Sequence, residues 1–321
     1  MNLRTAWSLI KEAASSWVDD YASSMGAALA YYTMFSIAPL LLIVISVAGL
    51  VFGEEAARGE IFGQLRGLMG DSGASAVQGL LESVNQPATG IMATIFGIVA
   101  LLIGATTVFG ELQDALDRIW RAPARPQSSG IWALVRARLL SLGMILGIGF
   151  LLMVSLVASA AMSALERWWD PMFGGAATLA KVVNFGVSFA FVTLVFALIY
   201  KLMPRVRIKW RDVWVGAVVT ALLFTVGKTL IGIYIGSSGV ASAFGAAASL
   251  VALVVWVYWS AQIFLLGAEF TWVYARRFGS LKNAVPVPPA PGAETAPPVP
   301  SRSAQQEGGL GPPGEPAPRT A

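Results

Sequence analysis

The chain has 321 residues, of which 56% are hydrophobic and 12% charged, with a formal net charge of +4. Soluble domains carry about 25% charged residues, so the composition excludes an ordinary water-soluble globule. Cys and His are both absent, which removes disulfides, thiolate and imidazole metal ligands, the cysteine nucleophile and the commonest general base.

Residues 1–26 do not read as a cleavable leader, because Arg4, Lys11, Glu12, Asp19 and Asp20 interrupt them. Leu3, Trp7, Ile10, Trp17 and Tyr21 recur at spacings of three, four and seven, which predicts one face of an amphipathic helix. Such a helix lies in the membrane interface or packs against the cytoplasmic end of a bundle.

Six apolar runs follow, near 30–52, 91–109, 139–163, 182–203, 213–235 and 246–274. Each approaches the roughly 20 residues that a helix needs to cross a bilayer. The expected fold is therefore all-α: a polytopic integral membrane protein with six transmembrane helices over 27–280. Pro39 is expected to kink the first span near Phe35–Ser36, since it removes a helical hydrogen bond. The connection 53–90 carries Ile61, Leu65 and Leu68, then Val77, Leu80, Leu81 and Val84, at helical spacing. Two short amphipathic helices joined near Gly70–Gly73 are expected there, on the outer face, with Asp71 or Ser72 as N-cap. The third run repeats Gly143, Gly147, Ser155, Ser159 and Ser163 at multiples of four, a helix-packing stripe. Asn184 and Ser188 of the fourth run are placed to hydrogen-bond across to it. The small-residue segment 236–248 forms a tight outer hairpin or dips back into the bundle. Eleven of the 17 prolines fall between Pro286 and Pro318. Residues 281–321 therefore read as a disordered, Pro-rich cytoplasmic tail.

Charge sets the orientation. With both ends cytoplasmic and the tail counted only to Lys282, the inner segments hold fifteen Lys and Arg residues and the outer segments four: Arg58, Arg66, Arg167 and Lys181. This is the positive-inside bias. Trp120, Trp132, Trp210 and Trp214 then fall at the inner interface, and Trp168 and Trp169 at the outer one. The basic segments are read as topology signals and as contacts for anionic lipid head groups, not as a nucleic-acid surface.

Ionisable groups inside spans are costly and face the bundle interior. Tyr258, Gln262 and Glu269 share a face of the sixth run at i, i+4 and i+11. Glu269 reads as an interhelical anchor or a pathway residue, with Arg136, Arg138 or Arg118 as its expected partner. Lys228 in the fifth run lies about 10 Å below the outer end; it snorkels outward or meets a substrate anion. Thr107, Glu111, Asp114 and Arg118 form a stripe closing the second run, either an interface terminus or part of a pathway. Glu111, Asp114 and Asp117 are spaced as a helical face that could hold Mg²⁺. Neutralisation by Arg118 and Arg121 at i+4 explains them more simply.

Three stretches together resemble the YihY/BrkB family of bacterial inner-membrane proteins. They are Ala28-Leu-Ala-Tyr-Tyr-Thr-Met-Phe-Ser-Ile-Ala-Pro-Leu, Leu112-Gln-Asp-Ala-Leu-Asp-Arg-Ile-Trp and Val254-Val-Trp-Val-Tyr-Trp-Ser-Ala-Gln-Ile-Phe-Leu-Leu-Gly-Ala-Glu-Phe. The resemblance covers about residues 5–280. It implies a six-helix multi-pass protein of the bacterial inner membrane, with transport across the envelope as the suspected activity. It brings no catalytic set, cofactor or metal-ligand cluster, so the ribonuclease BN label that the family has carried finds little support. The expectation is a non-enzymatic transporter, channel or lipid translocase for an unidentified envelope lipid or small solute. A membrane scaffold or regulator is the alternative, and an intramembrane hydrolase a more distant one. No oligomeric state follows from these patterns.

Overall fold

A computed structural model describes residues 3–84, 91–123, 143, 147, 176–206, 208–237, 244 and 247–282. Among these residues all regular structure is helical. The elements are α1 (Leu3–Asp19), α2 (Ala22–Phe52), α3 (Glu54–Val84), α4 (Ile91–Ile119), α5 (Ala176–Leu202), α6 (Trp210–Ser237) and α7 (Ala248–Arg277). Among the described residues four stretches are long and apolar enough to cross a membrane: Ala22–Leu50, Phe185–Leu202, Trp210–Ile235 and Ala248–Arg277. They correspond to the first, fourth, fifth and sixth apolar runs. The second run forms the N-terminal part of α4. The third run lies outside the described residues except for helical Gly143 and Gly147. Arg136, Arg138, the three serines of that run, the Asn184 side chain, most of 236–248 and the tail also fall outside; Ser188 is exposed.

The first helix departs from its expected form. It ends at Asp19, where Tyr21 turns the chain in the left-handed conformation (φ 56°, ψ 40°), and α2 starts at once. Its inward face is not the aromatic one. Leu9 and Ala13 are buried against Phe270 and Val273 of α7, whereas Trp7, Ile10, Val18 and Tyr21 are exposed. At 100° per residue the helix thus has three arcs: a narrow inner apolar arc, an outer aromatic arc, and a polar arc containing Ser8 and Glu12. Arg277 donates to both of the latter, at 3.0 and 3.4 Å.

α2 continues as one helix through Pro39. The proline ring faces Gly104 of α4, where an added Cβ would lie 3.1 Å from Pro39 Cγ. α3 consists of two helical halves around Gly70, whose φ of 76° and ψ of 178° suit only glycine. Arg66 and Asp71 pair at 2.8 Å across this break. Met69, Val77 and Leu81 bury against Leu41 and Ile45 of α2 and Leu253 of α7.

α6 and α7 meet through two reciprocal glycine–threonine contacts. A Cβ on Gly216 would collide with Thr271, and one on Gly267 would collide with Thr220. Each threonine hydroxyl is satisfied within its own helix: Thr220 donates to Gly216 O at 2.8 Å and Thr271 to Gly267 O at 2.7 Å. The facing surfaces are therefore small and leave no hydroxyl unpaired, which lets the backbones approach closely where no hydrophobic effect drives helices together.

Candidate functional site: a buried carboxyl pair at the basic end of the bundle

Three polar links gather the helix ends. Asp117 on α4 accepts from Arg205 Nε at 2.6 Å and Arg205 N at 2.9 Å, tying α4 to the α5–α6 turn. Asp212 at the start of α6 accepts from Ser280 N at 2.6 Å, tying that turn to the end of α7. Arg121, just past α4, donates to Asp20 Oδ1 at 2.6 Å, tying α4 to the α1–α2 elbow. The start of α2, the ends of α4 and α5, the start of α6 and the end of α7 consequently lie at one end of the bundle. Arg118, Arg121, Lys201, Arg205, Lys209, Arg276 and Arg277 are collected there with them.

Beneath these links lies an aromatic plug. Trp120 and Tyr200 are fully buried, with ring centroids 6.0 Å apart, and Phe264 lies 5.1 Å from Tyr200. Trp120 Nε1 donates to Ala268 O at 3.2 Å, and Tyr200 Oη donates to Phe264 O at 2.7 Å. Trp120 is thus a core residue and not the interfacial aromatic expected from its position; Trp210 and Trp214 are exposed. Replacing Tyr200 with Phe is expected to cost about 0.6–1.7 kcal/mol, the scale of interhelical hydrogen bonds in membranes. Denaturing-detergent titration of the purified protein would measure it; an unchanged midpoint would show that the bond contributes nothing.

Glu269 is 0% exposed, and Asp20, from the elbow, is 5% exposed. The Glu269 carboxyl meets that of Asp20, and the charges of Arg121 and Asp19 also act on it. Of the partners expected for Glu269, Arg136 and Arg138 lie outside the described residues, and Arg118 does not take that place. Arg118 is exposed and sits over the Tyr21 ring at 5.8 Å, and the group that meets Glu269 is another acid. Gln262 shares the Glu269 face: its Nε2 reaches Ser23 O at 3.4 Å and its side chain fills the space beside Gly26. Tyr258, half-buried, continues this face.

Lys228 is exposed on α6 among exposed Val226, Leu230 and Ile233, apart from the carboxyl pair. The Thr107–Arg118 stripe does not form the buried side of α4. Thr107 donates to Ile103 O at 2.6 Å, and Asp114 and Arg118 are exposed. Glu111 lies beyond the apolar run; partial loss of water, and then the nearby Asp114 carboxylate, hold its carboxyl above the usual range. The buried face carries Thr106, Leu116, Asp117 and Trp120 instead. For Asp117 and Arg121 the expected i+4 neutralisation gives way to long-range pairs: Asp117 takes Arg205, and Arg121 takes Asp20. Among the described residues no group of three or more His, Cys, Asp and Glu side chains is placed to hold a metal ion.

Two ends of this site are backbone-strained. Tyr21 (φ 56°) and Arg121 (φ 51°) are non-glycine residues in the left-handed region, at about 1–2 kcal/mol each. Tyr21 follows Asp20 directly and Arg121 is its partner, so both strained residues belong to the Asp20–Arg121 ion pair or adjoin it.

Membrane-length helices, glycine-mediated packing and basic segments gathered at one end define a polytopic α-helical membrane protein. The sequence matches the Virulence factor BrkB family over residues 13–290, and the chain belongs to that family. A UPF0761 membrane protein of Pseudomonas aeruginosa is 29% identical over 254 residues, covering 78% of this chain and 59% of the relative. One from Azotobacter vinelandii is 30% identical over 258 residues, with coverages of 78% and 59%. One from Pseudoalteromonas atlantica is 29% identical over 248 residues, with coverages of 76% and 78%. The chain thus spans about six-tenths of the length of the Pseudomonas and Azotobacter relatives. No solved structure matches. The family resemblance carried by residues 28–40, 112–120 and 254–270 is borne out.

Proposed function

We propose that this protein is a transporter, channel or lipid translocase of the bacterial inner membrane, acting on an envelope lipid or small solute. In this reading it has six spans, and the basic end of the bundle faces the cytoplasm. The observation that carries it is the polar face of α7, where Gln262 and buried Glu269 are set against the start of α2. Buried ionisable groups in membrane helices are costly and mark pathways more than packing. The gathering of basic residues at one end supports the orientation. The exposed arc of Trp7, Ile10, Val18 and Tyr21, bordered by Arg4, Lys11 and Arg118, suits contact with anionic head groups.

A scaffold role is the second reading, favoured by the filled aromatic plug of Trp120, Tyr200 and Phe264. Reconstituted vesicles separate the two. Movement of a fluorescent anionic lipid between leaflets, or solute flux after an osmotic step, is expected above the protein-free rate. Glu269→Gln is expected to slow it about tenfold, equivalent to 1.4 kcal/mol on a barrier, and Lys228→Ala to leave it unchanged. Absence of both activities in folded wild-type protein would favour the scaffold.

A further inference from the structure

The carboxyl pair presents a problem of charge that transport alone does not explain. Arg121 occupies Asp20 Oδ1. Asp20 Oδ2 and both Glu269 oxygens are buried and receive no hydrogen bond from an N–H or O–H of any described residue. An ionised carboxylate only accepts hydrogen bonds, so two ionised groups here would repel with no donor between them. Buried carboxyls in that arrangement share a proton, which converts the repulsion into a hydrogen bond.

The neighbouring charges agree with a total of one proton. Arg121 contributes a positive charge from the turn after α4, and Asp19 a more distant negative charge from α1. α2 has no charged residue between Ala22 and Phe52. On α7 the next charges are Arg276 and Arg277, and Arg277 is engaged by Glu12 at 3.4 Å. One shared proton leaves a single negative charge on the pair, opposite the Arg121 guanidinium, which among the described residues is the one that contacts it. The Arg121 side chain is 49% exposed, so the site borders water on that side and can exchange its proton.

We propose that Asp20 and Glu269 form a binding site for one proton, and that this proton seats the α1–α2 elbow on α7. The ligand is the proton itself, bound between two carboxyls that come from elements far apart in the chain. The proposal does not rest on the transport reading, since it concerns the resting fold and is read without any flux assay.

The test is the unfolding equilibrium of the full chain in denaturing-detergent titrations across the neutral pH range. The folded state holds a proton that the unfolded chain, with ordinary carboxylates, has released. Stability therefore falls as pH rises, by about tenfold in the unfolding constant per pH unit for one proton. In Glu269→Gln the amide donates permanently to Asp20, and the slope is expected to vanish. Glu12→Gln, at the exposed pair, is expected to keep it. Infrared spectra of the wild type are expected to show the C=O stretch of a protonated acid that Glu269→Gln lacks, a readout independent of the unfolding assay. A wild type without the slope, a slope retained in Glu269→Gln, or a missing acid band would each overturn the proposal. So would stabilisation by Na⁺ or Mg²⁺ at constant pH and ionic strength, which would place a metal cation between the carboxyls.

Discussion

Valine at Gly216 or Gly267 is expected to abolish the folded protein, and alanine at either to weaken it by about 1–3 kcal/mol, the usual cost of overfilling a packed contact. A Cβ at Gly216 collides with Thr271, and one at Gly267 collides with both Thr220 and, at 2.7 Å, the Tyr200 hydroxyl. Neither helix can back away cheaply. Separating α6 from α7 would also pull Tyr200 Oη from Thr220 Oγ1, 3.2 Å away. Because the contact is reciprocal, it makes a sharper forecast than simple loss. Thr271→Ala removes the hydroxyl and methyl that Gly216→Ala would strike but keeps Cβ, 2.7 Å from the added carbon. It should therefore restore part of what Gly216→Ala removes, while doing nothing for Gly267→Ala, whose obstacles are Thr220 and Tyr200. Size-exclusion profiles and detergent-unfolding midpoints of the single and double variants would measure this. Equal rescue of both glycine variants by Thr271→Ala would mean that the clash is not local.

Arg205→Ala is expected to cost about 3 kcal/mol, and to do so without touching the membrane-spanning helices. Its partner Asp117 is 5% exposed, so removing the guanidinium strands a buried carboxylate, for which about 3–5 kcal/mol is typical. The lower end applies for two reasons. The Arg205 side chain is itself 34% exposed, and the Arg205 backbone N–H remains to donate to Asp117 Oδ1 at 2.9 Å. Asp117→Asn keeps that backbone bond and leaves unpaired only the Arg205 guanidinium, which is partly exposed to solvent, so it should be milder than Arg205→Ala despite altering the more buried residue. Thermal midpoints in detergent would rank the two, and the reverse order would refute this account of the pair.

The membrane-length helices are legible in the sequence because lipid demands an unbroken apolar run, and such a run is visible without any knowledge of neighbours. Glu269 is legible for the same reason, since a carboxylate inside such a run stands out. Its companions are not. Asp20 and Arg121 sit at helix ends, where charged residues are ordinary, and their pairing joins positions 101 residues apart. The only local hint at either was the absence of glycine where a helix stops and turns left-handed. The inner face of α1 was hidden by chemistry: Leu9 and Ala13 are small beside Trp7 and Ile10, so the larger side chains dominate the pattern although these two face outward, while Trp17 packs against the core. Trp120 misleads in the same way, because its place beside a basic turn suggests an interface while its indole plugs the core. The Gly216–Thr220 and Gly267–Thr271 spacings were present all along. They became meaningful only when the two helices were seen to face one another.

The seating of α1 also bears on how the protein is made. Residues that hold this helix come late in the chain: Arg121, then Phe270 and Val273, and finally Arg277, which is 269 residues beyond Ser8. Domains emerge N-terminus first during synthesis. The helix synthesised first therefore lacks the α7 face on which Leu9 and Ala13 dock until α7 has been made. Seating of the elbow waits on the arrival of Arg121 and α7.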